Sequence, residues 1–91
     1  MREQLKKDRE VYIAQNKHEV LIDVARGSGE HLKVITFYSA CEAAAYSELS
    51  QKLKTSFSQK STIPDIKSIC QDIDLIISQS RTLKQSCLTM N

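Results

Sequence analysis

The residues best suited to chemistry form one short run, Arg-Gly-Ser-Gly-Glu-His, at positions 26–31. The run holds both glycines of the chain, together with an arginine, a glutamate and a histidine. Arg26 and His31, with the free N–H groups at the start of a helix, would suit an anion. Glu30 would repel an anion from the same place, so we interpret the run as a structural corner between two helices. A ligand or partner site made by Arg26, Glu30 and His31 is kept as an alternative.

The other side chains predict neither a metal site nor a catalytic site. The only histidines are His18 and His31, which would need an acid such as Glu19 or Asp23 to hold a metal. No ligand spacing such as Cys-x2-Cys or His-x3-His is present. A phosphate-binding loop and a serine triad also lack their minimum set of residues. We therefore expect no enzyme, no cofactor and no metal.

Three cysteines allow at most one internal disulfide and leave an odd thiol. Cys70 and Cys87 are seventeen residues apart on one predicted helix, which corresponds to about 25 Å and exceeds disulfide reach. Cys41 begins the preceding antiparallel helix, so it comes nearer to Cys87 than to Cys70. Any internal bridge is therefore expected between Cys41 and Cys87. Cys70 lies on an apolar stripe and is interpreted as a small core residue.

The apolar spacing predicts an all-α fold, because apolar residues recur every third or fourth position through most of the chain. Residues 1–10 are nearly all polar and are expected to form a frayed or solvated leader of a single helical domain, 1–91. Residues 32–38 are β-branched and aromatic, but no second strand-like run exists to pair with them, so we predict a helix there. The prediction is a compact bundle of about four helices at approximately 9–26, 29–38, 41–58 and 63–86.

Capping residues predict where these helices begin and end. Gly27 follows the first helix, where a residue with positive φ is favoured, and Ser28 is the predicted N-cap of the second. Ser39 and Glu42 have the spacing of a capping box at the start of the third. Pro64 falls in the first turn of the last helix, where its missing N–H costs nothing.

Composition excludes several classes of function. Ninety-one residues make one small domain. A net charge of +2 is too small for a nucleic-acid-binding surface, and lysines and arginines are interleaved with acids. No apolar run approaches the roughly 18 residues that span a bilayer. Aromatic residues make up only 5% of the chain, so a stacking platform for bases or sugars is not expected.

Two stretches, VYIAQNKHEVLIDVARGSGEHLKVI and AYSELSQKLKTSF, resemble a known family. They are similar to the C-terminal half of an uncharacterised exported bacterial family, domain-of-unknown-function family three-zero-one-five (DUF3015). The resemblance extends over residues 11–85 and includes the closing Phe57 of the second stretch. The family's run D-[IV]-A-R-G-x-G-E-x-L is matched by Asp23, Val24, Ala25, Arg26, Gly27, Gly29, Glu30 and Leu32.

The resemblance implies a periplasmic or exported helical protein, and it implies no activity because none is defined for the family. The sequence departs from the family pattern in two places. TFYSACE stands where a leucine–glycine turn is expected. The first residues, MREQLKKDREVY, have the positive charge of a signal peptide but no apolar region behind it.

We therefore predict a non-enzymatic helical binding module that contacts a protein partner or a second copy of itself. The last predicted helix carries Leu75, Ile76 and Ile77 side by side, a wider apolar band than one packing seam needs. An exposed part of that band would suit a homo-oligomer or a partner groove. The alternative function is an exported protein that binds a small ligand or a metal at the corner from Arg26 to His31.

Overall fold

Helices account for nearly all of residues 2–87, the part of the chain that this computed structural model describes. The all-α prediction is confirmed for these residues, but the predicted number of about four helices is wrong. Met1 and residues 88–91, which the predicted single domain includes, lie outside the described residues. The elements are α1 (Arg2–Gln15), α2 (Lys17–Arg26), α3 (Glu30–Tyr38), a 3-10 turn (Ala43–Ala45), α4 (Tyr46–Ser58), α5 (Ile66–Gln79) and α6 (Arg81–Ser86).

An aliphatic core holds the helices together. On α5, for example, Ile69, Ile73 and Ile77 recur every fourth residue, so they share one buried face. α1 packs against α3 and α5, α2 packs against α3 and α4, and α4 packs against α5. Within residues 2–87, no helix is long and apolar enough to cross a bilayer. The buried apolar residues are Ile13, Val20, Val24, Leu32, Ile35, Ala45, Leu49, Leu53, Ile69, Ile73, Ile77, Leu83 and Cys87.

The predicted helix 9–26 is two helices, and its first part begins much earlier. Asn16 separates α1 from α2 with φ −127° and ψ 29°, outside helical values. Its side-chain amide donates to the carbonyl oxygen of Tyr12 at 2.9 Å, a local bond that competes with continuation of the helix. The predicted polar leader 1–10 is helical from Arg2 onward, and Arg9 within it is buried.

The predicted helix 63–86 begins three residues later and is interrupted at Ser80. Asp65 is the N-cap of α5, because its carboxylate accepts the backbone N–H of Ser68 at 2.8 Å. Pro64 therefore precedes the helix. Ser80 is extended, and its hydroxyl accepts the backbone N–H of Leu83 at 3.2 Å, so Ser80 ends α5 and caps α6.

The predicted helix 41–58 becomes regular only at Tyr46. Ser39 ends α3, so it does not cap the next helix with Glu42 as predicted. Ala40 has a positive φ of 61°, and the chain then turns extended at Cys41. The backbone N–H of Glu42 donates to the carbonyl of Ser86 at 2.8 Å, so this segment pairs with the end of α6.

A carboxylate on α4 supports the start of α6 and gives a pH-dependent prediction. The Ser80 hydroxyl donates to Glu48 at 2.6 Å, and Thr82 donates to the same carboxylate. These two hydrogen bonds lower the pKa of Glu48 below its ordinary value of 4.5, and Lys52 contributes further. A carboxyl with a lowered pKa stabilises the fold above the unfolded pKa, and this is lost as the pH falls through the folded pKa.

We therefore expect Glu48→Gln to reduce the acid sensitivity of the fold. The difference in the free energy of unfolding between wild type and variant should be largest above pH 4.5 and shrink at lower pH. Urea titrations at a series of pH values measure this difference. Glu42→Gln, which replaces an exposed glutamate that does not contact Ser80 or Thr82, is the control. A Glu48→Gln curve parallel to wild type at every pH would contradict the prediction.

Candidate functional site

The corner between α2 and α3 is built by its two glycines. Gly27 ends α2 with φ 81°, as predicted for the residue that follows the helix, and its N–H donates to the Asp23 carbonyl at 2.7 Å. Gly29 precedes α3 with φ 141°, a conformation that residues with a Cβ rarely adopt. Its N–H donates to the Tyr46 hydroxyl at 2.8 Å. Gly29, and not the predicted Ser28, occupies the N-cap position of α3.

The cap of α3 comes from a carboxylate on the preceding helix. Asp23 is buried, and its Oδ2 accepts the backbone N–H of His31 at 3.0 Å. The same oxygen lies 3.2 Å from Nδ1 of His31. A Cβ on Gly29 would collide with this carboxylate, so the absent side chain of Gly29 makes room for the cap. Asp23 therefore supplies the negative charge that favours a helix N-terminus.

The three residues of the predicted corner site have different surroundings in the structure. Arg26 is exposed, and Glu30 is an exposed residue whose carboxylate lies 3.5 Å from Lys33 Nζ. His31 faces Asp23. An anion at this corner would meet N–H groups that Tyr46 and Asp23 already accept. Within residues 2–87, no group of three histidine, cysteine or acidic side chains is placed to hold a metal ion.

A row of rings lies between α1 and α3, which we call the aromatic row (His31, Tyr12, Tyr38 and Phe37). The ring of Tyr12 is centred 6.0 Å from His31 and 5.8 Å from Tyr38. The ring of Phe37 follows, 5.5 Å from Tyr38. Phe37 is 65% exposed and the other three residues are half-buried, so the row ends in an exposed ring.

Nearby carboxylates act on the inner end of the aromatic row, at Tyr12. Burial raises the pKa of the Tyr12 hydroxyl, and the charges of Asp23, Glu30 and Glu19 raise it further, with a contribution from Tyr38. A cation placed beside Tyr12 would therefore contact aromatic rings in a region of negative charge. This combination is the one that binds arginine, lysine or quaternary ammonium groups in proteins.

The cysteines divide into one bonded pair and one free thiol. The Sγ atoms of Cys41 and Cys87 form a disulfide that closes a sequence separation of 46 residues. This bond leaves neither sulfur available as a nucleophile. Cys70 is free and half-buried, and it packs against the core from α5.

Comparison with known proteins gives a family but no activity. The model of the family described as "Protein of unknown function (DUF3015)" matches residues 2–87. The chain belongs to this family. Searches of curated proteins and of solved structures found no match. The match covers nearly the whole chain and not only the stretch 11–85 that was taken for a C-terminal half, so it includes the part of α1 that holds Arg9.

Sequence reasoning missed the aromatic row and Arg9 of this DUF3015 protein. The aromatic residues are few, and those of the row come from two helices that meet only in the folded chain. Arg9 precedes Ile13 by four residues, which places it on the same buried face of α1. This spacing could have predicted that Arg9 is buried. It was overlooked because residues 1–10 are nearly all polar.

Proposed function

We propose that this DUF3015 protein is a non-enzymatic binding module, and that its aromatic row binds a basic segment of a partner protein. The observation that carries the proposal is the exposure of Phe37, which is 65% exposed at the end of a row of packed rings. An aromatic residue of this size in solvent is a candidate anchor, because aromatic side chains dominate the energetics of protein interfaces.

Charge favours a basic partner. Burial raises the pKa of Tyr12, and the charges of Asp23, Glu30 and Glu19 raise it further, so negative charge acts on this end of the row. The protein already contains one related contact, in which Lys33 Nζ lies 5.9 Å from the centre of the Tyr46 ring. An arginine or lysine of a partner would find the same aromatic chemistry at the aromatic row.

The size of the row favours a single segment over a second copy of the chain. An aromatic side chain buries about 150–250 Å², and most rings of the row are already half-buried. The row therefore offers far less than the roughly 800 Å² per partner of a stable interface. The apolar band predicted on the last helix adds little, because Ile77 is buried, Ile76 is half-buried and only Leu75 is exposed.

Other grooves offer less to a ligand. A cleft of about 490 Å³ runs between α4 and α5. Two of its polar residues already have partners. Asp72 lies 2.9 Å from Lys60 Nζ, and Ser80 is bonded to Glu48. Paired groups of this kind stabilise the fold and leave fewer donors and acceptors for a bound molecule.

A titration of isotope-labelled protein tests the proposal. The probe is a short peptide of alternating arginine and leucine, and its control has glutamate in place of arginine. Amide resonances of the aromatic row should shift with the arginine peptide alone. Equal shifts with the glutamate peptide would contradict the proposed charge preference. Concentration-dependent shifts of the same residues without peptide would identify a second copy as the occupant instead.

Phe37→Ala should weaken binding of the arginine peptide by about tenfold without destabilising the fold, because the lost ring projects into solvent. Leu75→Ala is the matched control, since Leu75 is a similarly exposed apolar residue at 53% but lies on α5. Peptide affinity and the free energy of unfolding are measured for both. Equal loss of affinity in the two variants would argue against the aromatic row as the binding surface.

A further inference from the structure

His31 is the one ring of the aromatic row whose residue type changes charge near neutral pH. Among ordinary side chains, only histidine does so between about pH 5 and pH 8. The ring of His31 lies at the inner end of the row, 6.0 Å from the ring of Tyr12. Its side chain is 28% exposed, so solvent can exchange a proton with it. The charge at this end of the aromatic row therefore depends on the pH.

The group that faces His31 from α2 is the buried carboxylate of Asp23. Its Oδ2 lies 3.2 Å from Nδ1 of His31 and also accepts the backbone N–H of the same residue. A carboxylate only accepts hydrogen bonds, so Nδ1 carries the hydrogen of this contact and a second proton is taken up at Nε2. Protonated His31 would form an ion pair with Asp23 and offset its charge, whereas neutral His31 leaves that charge in place. Glu19, also on α2, is exposed and acts through its charge on Tyr12.

The other charged and titratable groups near His31 come from the elements that pack around α3. On α1, the Tyr12 ring lies beside the imidazole. On α3 itself, Glu30 precedes His31, and its exposed carboxylate lies 3.5 Å from Lys33 Nζ. On α4, the Tyr46 hydroxyl accepts the backbone N–H at the N-cap position of α3. The carboxylate on α2 is thus the charge that a proton on His31 offsets most directly.

We propose that His31 is a pH switch for the aromatic row: neutral His31 permits binding of the basic segment, and protonated His31 weakens it. This regulation rests on the proposed function. When the imidazole is neutral, an arginine or lysine at the Tyr12 end contacts aromatic rings, and the charge of Asp23 attracts it. When the imidazole is protonated, the same cation meets a second positive charge and an ion-paired carboxylate. Binding is then less favourable.

Peptide affinity at two pH values tests the pH switch. The probe is the arginine–leucine peptide with both termini blocked, so its charge is constant, because arginine stays protonated throughout. Affinity is measured at about pH 8 and about pH 5.5, on either side of the range in which histidine changes charge. The proteins are wild type, His31→Gln and His18→Gln.

The two variants are matched. Glutamine at position 31 keeps the backbone N–H that Asp23 accepts, and it cannot take up a proton. His18 is the other histidine of the chain and is exposed on α2, outside the aromatic row. His18→Gln therefore removes a titrating imidazole without touching the proposed switch.

The expected result is an affinity about three- to tenfold lower at the acidic pH in wild type and in His18→Gln. The affinity of His31→Gln should be the same at both pH values. By linkage, saturating peptide should also lower the pH at which His31 takes up its proton in wild type. Imidazole resonances of isotope-labelled protein measure this change, with His18 as the internal reference, and this measurement needs no variant.

The outcomes separate the pH switch from the function on which it rests. Equal wild-type affinity at the two pH values would overturn the pH switch and leave the proposed function intact. An unchanged His31 titration with peptide bound, or a pH dependence lost in His18→Gln instead of His31→Gln, would do the same. No peptide binding at either pH would refute the proposed function and the pH switch together.

Discussion

Replacing Gly29 with alanine should lower the free energy of unfolding by about 2–4 kcal/mol. The first contribution is backbone strain, because Gly29 has φ 141° and ψ 166°, a conformation that is essentially restricted to glycine. The second is steric. The new methyl group would collide with the buried carboxylate of Asp23 and displace it from the backbone N–H of His31.

The displaced carboxylate would lose its hydrogen bond to the backbone N–H of His31. Asp23 is 7% exposed, and both its backbone carbonyl and its side chain bond to the corner. Moving the side chain would leave the N-terminus of α3 without its cap and a buried charge without its partner. The loss should therefore exceed that of an ordinary glycine-to-alanine change at positive φ.

Ser28→Ala is the matched control for this prediction. Ser28 is the neighbour of Gly29, is exposed, and contributes its backbone N–H to the Asp23 carbonyl at 3.2 Å. Alanine keeps that N–H, so the change in stability should stay within about 0.5 kcal/mol. Denaturant unfolding followed by circular dichroism measures both variants. Equal stability of Gly29→Ala and wild type would show that the corner relaxes without cost.

The corner also shows how far a sequence can predict local structure. Gly27 was predicted as the residue after the helix because a local rule decides it, and it has the expected positive φ. The same kind of rule named Ser28 as the next N-cap. The cap instead comes from Asp23, eight residues before the His31 N–H that it accepts. A rule based on the adjacent serine cannot identify a cap that reaches across a turn.

The two missed helix breaks share one cause. Ile13 and Val20 are seven residues apart, as are Ile76 and Leu83, and seven residues return a helix to nearly the same face. The apolar pattern therefore continues through Asn16 and through Ser80, although each of these residues ends a helix. Their own side chains carried the local signal, since serine and asparagine both compete with helical backbone bonds.

The spacing of apolar residues does not predict contacts between distant parts of the chain. Arg9 bonds to Ser39 and to Asp74, which are 30 and 65 residues away along the chain. Asp74 is the ion-pair partner of Arg9 and also lies 3.7 Å from Lys6. These polar residues meet because α1 packs against α3 and α5.

Removing the Cys41–Cys87 disulfide should lower the free energy of unfolding by about 4 kcal/mol. The bond joins residues 46 positions apart, and in the chain-entropy model a cross-link of this span restricts the unfolded chain strongly. The expected loss is a large share of the roughly 5–15 kcal/mol by which native domains are stable.

The location of the bond adds a structural reason for a large effect. Cys87 follows α6, and Cys41 lies in the extended segment before α4, where the two residues form an isolated antiparallel bridge. α6 is only six residues long, which is too short to be stable as an isolated helix. Without the covalent link, α6 would depend on Leu83 and on the bonds between Ser80 and Glu48.

The double variant Cys41→Ala/Cys87→Ala measures this effect, because alanine leaves neither a free thiol nor a buried hydroxyl. Cys70→Ala is the control. It removes a half-buried thiol and keeps the disulfide, so its cost should be about 1 kcal/mol. Denaturant unfolding of both variants is compared with wild type before and after reduction. If reduced wild type, with its free thiols verified by mass, were as stable as the oxidised protein, the packing of α6 alone would hold the end of the fold.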